Sequence, residues 1–220
     1  MAVTQNPHIG RSRNSFATAI FSKWKDKNTM RAKPTEVANP NTIGQRKQRN
    51  AFTRTMDVMV RPLDSHKYGF NSKMSKMTGL NAAVQANLNQ TIVSDANALV
   101  TVDWDALIFS EGNLTPTEFT VIEPSTGDCK ITWASDPLTW ADDQRATDQL
   151  NYIMFEVKDD EIISSQYGIG VESRNVLGGK FRITYREDRT LGSTVYIYPY
   201  FTNIPFNKVE PNTSYIAPAS

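Results

Sequence analysis

The chain of 220 residues holds one cysteine and two histidines, and only four acidic residues fall in its first 80 positions. Each shortage excludes something. Cys129 has no partner within the chain, so no disulfide framework is available, and a chain of this length buries enough core to need none. That usage fits a reducing compartment or an assembly made inside a cell. A zinc site or a histidine-based triad would need further ligands or a nucleophile at suitable spacing, so His8 and His66 read as exposed or incidental. Cys129 sits in a strand pattern between Asp128 and Lys130 and reads as a small packing residue. The opening MAVTQNPHIGRSRNSF is polar and broken by Pro7 and Gly10, unlike an export signal. No window approaches the roughly eighteen consecutive apolar residues of a helical membrane span. The expectation is a soluble, non-secreted protein with no cofactor and no membrane partner.

What is present is charge, unevenly placed. Residues 1–80 carry 15 Lys/Arg against four Asp/Glu, a net of +11, whereas residues 81–220 carry nine against 19, a net of −10. A split of this kind points to nucleic acid, a membrane surface or an oppositely charged protein. The oppositely charged protein can be a second copy of the same chain.

Three segments follow from local pattern. Residues 1–40 form a basic arm in which Phe16 to Trp24, the polar turn Lys25 to Asn28 and the following TMRAKP suggest a β-hairpin. Pro34 and Pro40 then force extended backbone before a helix that starts near Asn41 or Thr42. Gln45, three residues after Thr42, completes a capping box. Phe52, Met56, Met59 and Leu63 recur at helical spacing and predict one buried stripe, with Pro62 ending the helix. A second helix is expected from about Lys73 to Gln90, with Met77, Leu80, Val84 and Leu88 on its apolar side, extended by Ile92. Residues 41–93 thus read as an antiparallel helix pair.

From residue 94 to 220 the period changes to two. Ala98, Val100, Val102 and Trp104 alternate with polar residues, as do Cys129, Ile131 and Trp133, and Phe181, Ile183 and Tyr185. Further strands are expected at Leu107 to Ser110, Glu118 to Ile122, Leu150 to Lys158, Ile162 to Val171 and Thr194 to Phe201. The closing NTSYIAPAS adds a candidate edge strand. Short strands separated by turn residues predict an α+β protein whose C-terminal part is an antiparallel, Ig-like β-sandwich.

The order GRSRNSF, NTMRAKP, VANPNTIGQRKQRNAF, FSEGNL and VYIYPYF followed by SYIAP resembles a family of proteins of about this length, widespread in Bacteroidetes bacteria and their phages and prophages. The most specific part is Arg31, Pro34, Asn39, Pro40, Thr42, Gln45, Gln48, Arg49 and Phe52. Lys25-Asp26 departs from a Lys-Gly carried by many members. The resemblance implies no activity and no catalytic residues. It does imply a phage or prophage setting, and hence a virion protein made in the cytoplasm of a bacterial host.

The acidic pairs Asp103 with Asp105 and Asp142 with Asp143, and the run Asp159 to Glu161, lack the ligand spacing of a calcium loop and read as turn acids. The sharper signal is basic: Arg31, Arg46, Lys47, Arg49 and Arg54 are the expected contact residues for another subunit or for nucleic acid. The leading expectation is a non-enzymatic virion component that forms a homo-oligomeric ring or lattice with itself and other virion proteins, because unlike surfaces dock head to tail. A glycan- or receptor-binding module using Trp133, Trp140 and Tyr167 is the second. A packaging protein that neutralises phosphates is the third.

Overall fold

The computed structural model describes residues 2–4, 14–16, 19–24, 27–34, 40–88, 92–125, 128–175, 179–184, 192–203, 208–212 and 215–217. His8, the turn residues Lys25 and Asp26, and Tyr185 lie outside the described residues. The chain divides into two compact units, residues 1–41 and residues 42–220.

The first unit, expected as an arm, is built on a four-stranded antiparallel sheet. Its strands are β1 (Ala2–Thr4), β2 (Asn14–Phe16), β3 (Ala19–Trp24) and β4 (Lys27–Ala32), in the order β1-β4-β3-β2. The β3–β4 hairpin has one strand added along each edge, so both of its outer rows of backbone groups find partners. Ser22 and Thr29 face each other across the hairpin, their hydroxyls 2.6 Å apart.

The second unit opens with helix α1 (Ile43–Val60), and the expected capping box is formed: Gln45 N donates to Thr42 Oγ1 at 3.3 Å, and Thr42 N donates to Gln45 Oε1 at 3.2 Å. The helix ends before Pro62, as expected. Its core face shares Met59, and partly Met56, with the predicted stripe, but not Phe52 or Leu63. Ala51, Thr55, Val58 and Met59 are buried, whereas Phe52 is 48% exposed and Leu63 46% exposed. Small residues let the helix backbone approach its neighbours closely, and Thr55 satisfies its hydroxyl on the Ala51 carbonyl at 2.7 Å. A short helix α2 (His66–Gly69) and a 3-10 turn (Asn71–Lys73) follow.

The second long helix is shorter than its apolar spacing predicts. Helix α3 (Gly79–Asn87) starts where the Thr78 side chain caps the Asn81 amide at 3.2 Å. Gly79 is required there, since a Cβ would lie 2.6 Å from the His66 carbonyl oxygen. Ile92 belongs to strand β5 (Ile92–Ser94) and not to the helix; β5 pairs with β6 (Val100–Val102). Ala98, expected in that strand, sits in the turn with φ 66° and accepts from Asn50 Nδ2 at 2.8 Å. Trp104 likewise falls outside the strand, in a 3-10 turn (Trp104–Ala106).

Residues Leu107 to Ser110 are not a strand. Two asparagine side chains take the place of a neighbouring strand: Ile108 N donates to Asn87 Oδ1 at 2.9 Å, and Phe109 N and Ser110 N donate to Asn212 Oδ1 at 2.7 and 2.9 Å. Asn212 Nδ2 returns a bond to the Leu107 carbonyl at 2.9 Å. The amides of residues 108–110 and the carbonyls of Leu107 and Ile108 find partners without a ladder, which is why an apolar run here need not pair.

The remaining strands are β7 (Phe119–Ser125), β8 (Asp128–Trp133), β9 (Gln149–Lys158), β10 (Glu161–Ser173), β11 (Lys180–Thr184), β12 (Thr194–Asn203), β13 (Lys208–Val209) and β14 (Tyr215–Ala217). They form a three-stranded sheet β11-β8-β7 and a five-stranded sheet β10-β9-β12, with β13 and β14 both along the outer edge of β12. All pairings are antiparallel, giving an α+β fold.

Strands β9 and β12 are buried on both faces. Leu150, Tyr152, Met154, Val195, Ile197 and Phe201 pack with Phe119, Cys129, Ile131 and Trp133 of the smaller sheet. The alternate set, Ile153, Phe155, Val157, Tyr198 and Tyr200, packs with Val58 and Met59 of α1, Ala82 to Val84 of α3, and Phe109. The helices and the large sheet therefore share one core, and side chains of period two divide that sheet between two layers.

Candidate interaction surface

The predicted basic residues are distributed, not gathered. Arg31 is exposed on β4 in the first unit; Arg46 and Arg49 are exposed on α1, and Lys47 is half-buried with its carbonyl accepting from Ser94 Oγ at 3.4 Å. Arg54 is engaged within the chain. Its guanidinium lies 3.1 Å from Asp57 and 3.6 Å from Asp160, and it also donates to the Asp160 carbonyl oxygen.

Asp160 was expected as a solvated turn acid. It occupies the two-residue β9–β10 turn with φ 63°, after Asp159 with φ 50°, and accepts from Trp104 Nε1 at 2.7 Å. Part of the complementary charge is thus already joined within the chain. Asp143 is also recruited, its Oδ2 accepting from Thr115 N at 2.8 Å.

What α1 leaves facing outward is apolar as well as basic. Phe52 and Val60, 48% and 46% exposed, stand on α1, and Leu63, 46% exposed, follows in the turn after it, whereas Met56 is partly buried against the core. An open groove of about 650 Å³ is walled by Leu63, Met74, Met77 and Leu80. Lys67 and Lys76 line the same groove, and no acid does. The Asp64 carboxylate, 3.0 Å from the Lys67 ammonium, holds that amine above its usual pKa. Lys76 forms no ion pair among the described residues.

A second feature had no local signal in the sequence. Arg174 is fully buried, with Nε 3.0 Å from Asp148 and Nη2 2.6 Å from Glu210, and its guanidinium stacks 4.1 Å over the Phe201 ring. Asn203 Nδ2 completes Asp148 at 2.6 Å, and Phe201 N donates to Glu210 Oε2 at 3.2 Å. Burial pushes the Glu210 carboxyl up, opposed by its pairing with Arg174. The cluster ties residues 208–212 to β12 and to the loop before β9, and its members are far apart in sequence.

The remaining candidates resolve as core residues. His66, expected as exposed or incidental, is fully buried between Phe70 and Phe109, with Nε2 2.7 Å from the Met59 carbonyl oxygen. Burial lowers its pKa. Cys129 is buried between the two sheets. Trp133 is buried too and donates Nε1 to the Arg174 carbonyl at 2.8 Å, so it is not available for a sugar platform with Trp140 and Tyr167. Among the described residues no group of three or more His, Cys, Asp or Glu is placed to hold a metal ion, and no helix is long and apolar enough to cross a membrane.

Residues 11–203 match a family of unknown function, DUF6266. The chain belongs to that family. No curated protein matches it. Within this DUF6266 chain the match spans both compact units and includes α1, the groove and the buried Arg174.

Proposed function

We propose that the chain is a non-enzymatic structural protein of a phage virion, made in the cytoplasm of a bacterial host. It assembles with copies of itself and with other virion proteins as a ring or lattice component of the head, neck or tail barrel. One observation carries this reading. Exposed Phe52 and Val60 stand on α1 with exposed Arg46 and Arg49, and exposed Leu63, in the turn after the helix, lines a lysine-edged apolar groove. Contiguous apolar surface rimmed by charge supports a protein contact, because a monomer gains nothing by keeping it in water.

The net of −10 over residues 81–220 supplies an acidic counterpart, and contacts between unlike surfaces repeat into rings or filaments. The phage setting rests on the resemblance carried by Arg31 to Phe52. Two antiparallel sheets sharing one core support the further reading of an Ig-like β-sandwich, with the helices backing its larger sheet.

Sedimentation velocity of the full chain tests the assembly, with species heavier than a monomer expected and reduced in the double variant Arg46→Glu, Arg49→Glu. A monomer at every concentration would sink it. Mass spectrometry of purified particles tests the virion setting, the expected result being this chain at structural copy number.

A further inference from the structure

Leu138 is 93% exposed, the most exposed of the large apolar residues described. It stands at the crest of a 3-10 turn (Pro137–Thr139) that is held by its own bonds: Leu138 N donates to Asp136 Oδ1 at 3.0 Å, and Thr139 Oγ1 and N donate to the Asp136 carbonyl at 2.7 and 2.9 Å. Trp140 Nε1 braces the loop on the Ala134 carbonyl at 3.0 Å. A leucine offered to water on a pre-shaped turn carries no benefit for folding, whereas a rigid apolar knob loses little entropy on docking. Asp136 and Asp142 are exposed on either side of it and form no ion pair among the described residues. Arg145, the one cation of the loop, is folded back onto the carbonyls of Asp142 and Gln144.

The groove described above is the reverse of this knob. It is an apolar trough of about 650 Å³ between Leu63, Met74, Met77 and Leu80, edged by the Lys67 and Lys76 ammonium groups. Its far end is the N-terminus of α3, whose dipole adds to the positive rim. In one subunit the knob does not fill the groove, because Leu138 is almost wholly in water.

We infer that the Pro137–Thr139 turn of one copy seats Leu138 in the groove between α2 and α3 of a second copy, with Asp136 and Asp142 set against Lys76 and against Lys67, which Asp64 already neutralises in part. The contact is heterologous: each subunit uses a knob on one side and a groove on the other, so it propagates into a ring or filament. This inference rests on the self-assembly reading and names the surfaces that perform it.

The test uses sedimentation velocity on the full chain and two variants, Leu138→Asp and Met74→Asp, both at solvent-exposed positions where folding is little affected. Each alone is expected to weaken self-association about tenfold or more. Mixed together, they are expected to form a 1:1 pair that grows no further, since one intact knob and one intact groove remain between them. The exchange Asp136→Lys is expected to weaken assembly and to be rescued by Lys67→Glu with Lys76→Glu in the same chain. A wild-type chain that assembles as before with both aspartate variants overturns this inference and leaves the self-assembly reading standing. A wild-type chain that stays monomeric overturns both.

Discussion

The Arg54 guanidinium and the Asp160 carboxylate lie 3.6 Å apart, joining the basic helix to the acidic turn between β9 and β10. The pair is partly solvated, and its Coulomb energy is correspondingly screened. Arg54→Ala is expected to cost about 0.5–1 kcal/mol in urea denaturation and to leave self-association unchanged. Arg46→Glu, at an exposed position of α1, should do the opposite, lowering association while the urea midpoint holds. That contrast separates arginines that serve the fold from arginines that serve a partner.

Arg174 behaves differently because nothing around it is solvated. Removing it by Arg174→Met leaves Asp148 and Glu210 buried without a counter-charge, and the expected loss is about 3–5 kcal/mol. Replacing all three charged residues with apolar ones of similar volume should recover much of that loss. Urea titrations of the single and triple variants check it. Equal stabilities for the two variants would show that the unpaired carboxylates are not the cause.

Acid should weaken the protein through His66. Its ring is neutral in the fold, donating through Nε2 to Met59, and Nδ1 finds no partner among the described residues. The unfolded chain binds a proton below about pH 6.5 while the buried ring does not, so this contribution is full above pH 6.5 and falls as the pH drops beneath it. Glu210 has the opposite sign: its carboxyl is raised from 4.5, so its contribution is full below pH 4.5 and declines as pH rises through the raised value. Urea midpoints measured on both sides of pH 6.5 should slope for the wild type and be flatter for His66→Phe, whatever that variant's absolute stability.

Gly112 of the FSEGNL segment packs directly on strand β13. A Cβ there would run into the Val209 carbonyl oxygen, the same atom that accepts from Leu114 N at 3.1 Å. Gly112→Ala must displace β13 or the loop, at an expected cost of about 1–3 kcal/mol. Thermal denaturation measures it, with Gly44→Ala as the control, since a Cβ at Gly44 meets nothing within 4 Å.

The start of α1 was readable because its cause is local: Thr42 and Gln45 are three residues apart and cap each other without help from the rest of the chain. The alternation of Cys129, Ile131 and Trp133, the strands around Leu150 and Thr194, and the C-terminal segment that pairs as β14 were readable for the same reason. Period and turn chemistry act over a few residues.

Which side of α1 faces the core was not determined that way. Of the predicted stripe Met59, and partly Met56, reached the core, but Phe52 and Leu63 satisfy the helical period as well as Ala51, Thr55 and Val58 do. The choice between them was made by the close approach of helix to core, which small side chains permit and a phenylalanine would block. Leu107 to Ser110 has a strand's composition, but Asn87 and Asn212 hold its backbone in place of a neighbouring strand. Arg174 found Asp148 and Glu210 only because β-strands distant in sequence lie side by side. The exposure of Leu138 likewise depends on where the loop lands. The amino-acid sequence alone determined the elements, whose hydrogen bonds and caps are short-ranged; the tertiary structure decided which of their faces remain for a partner, because burial is settled by contacts summed over the whole core.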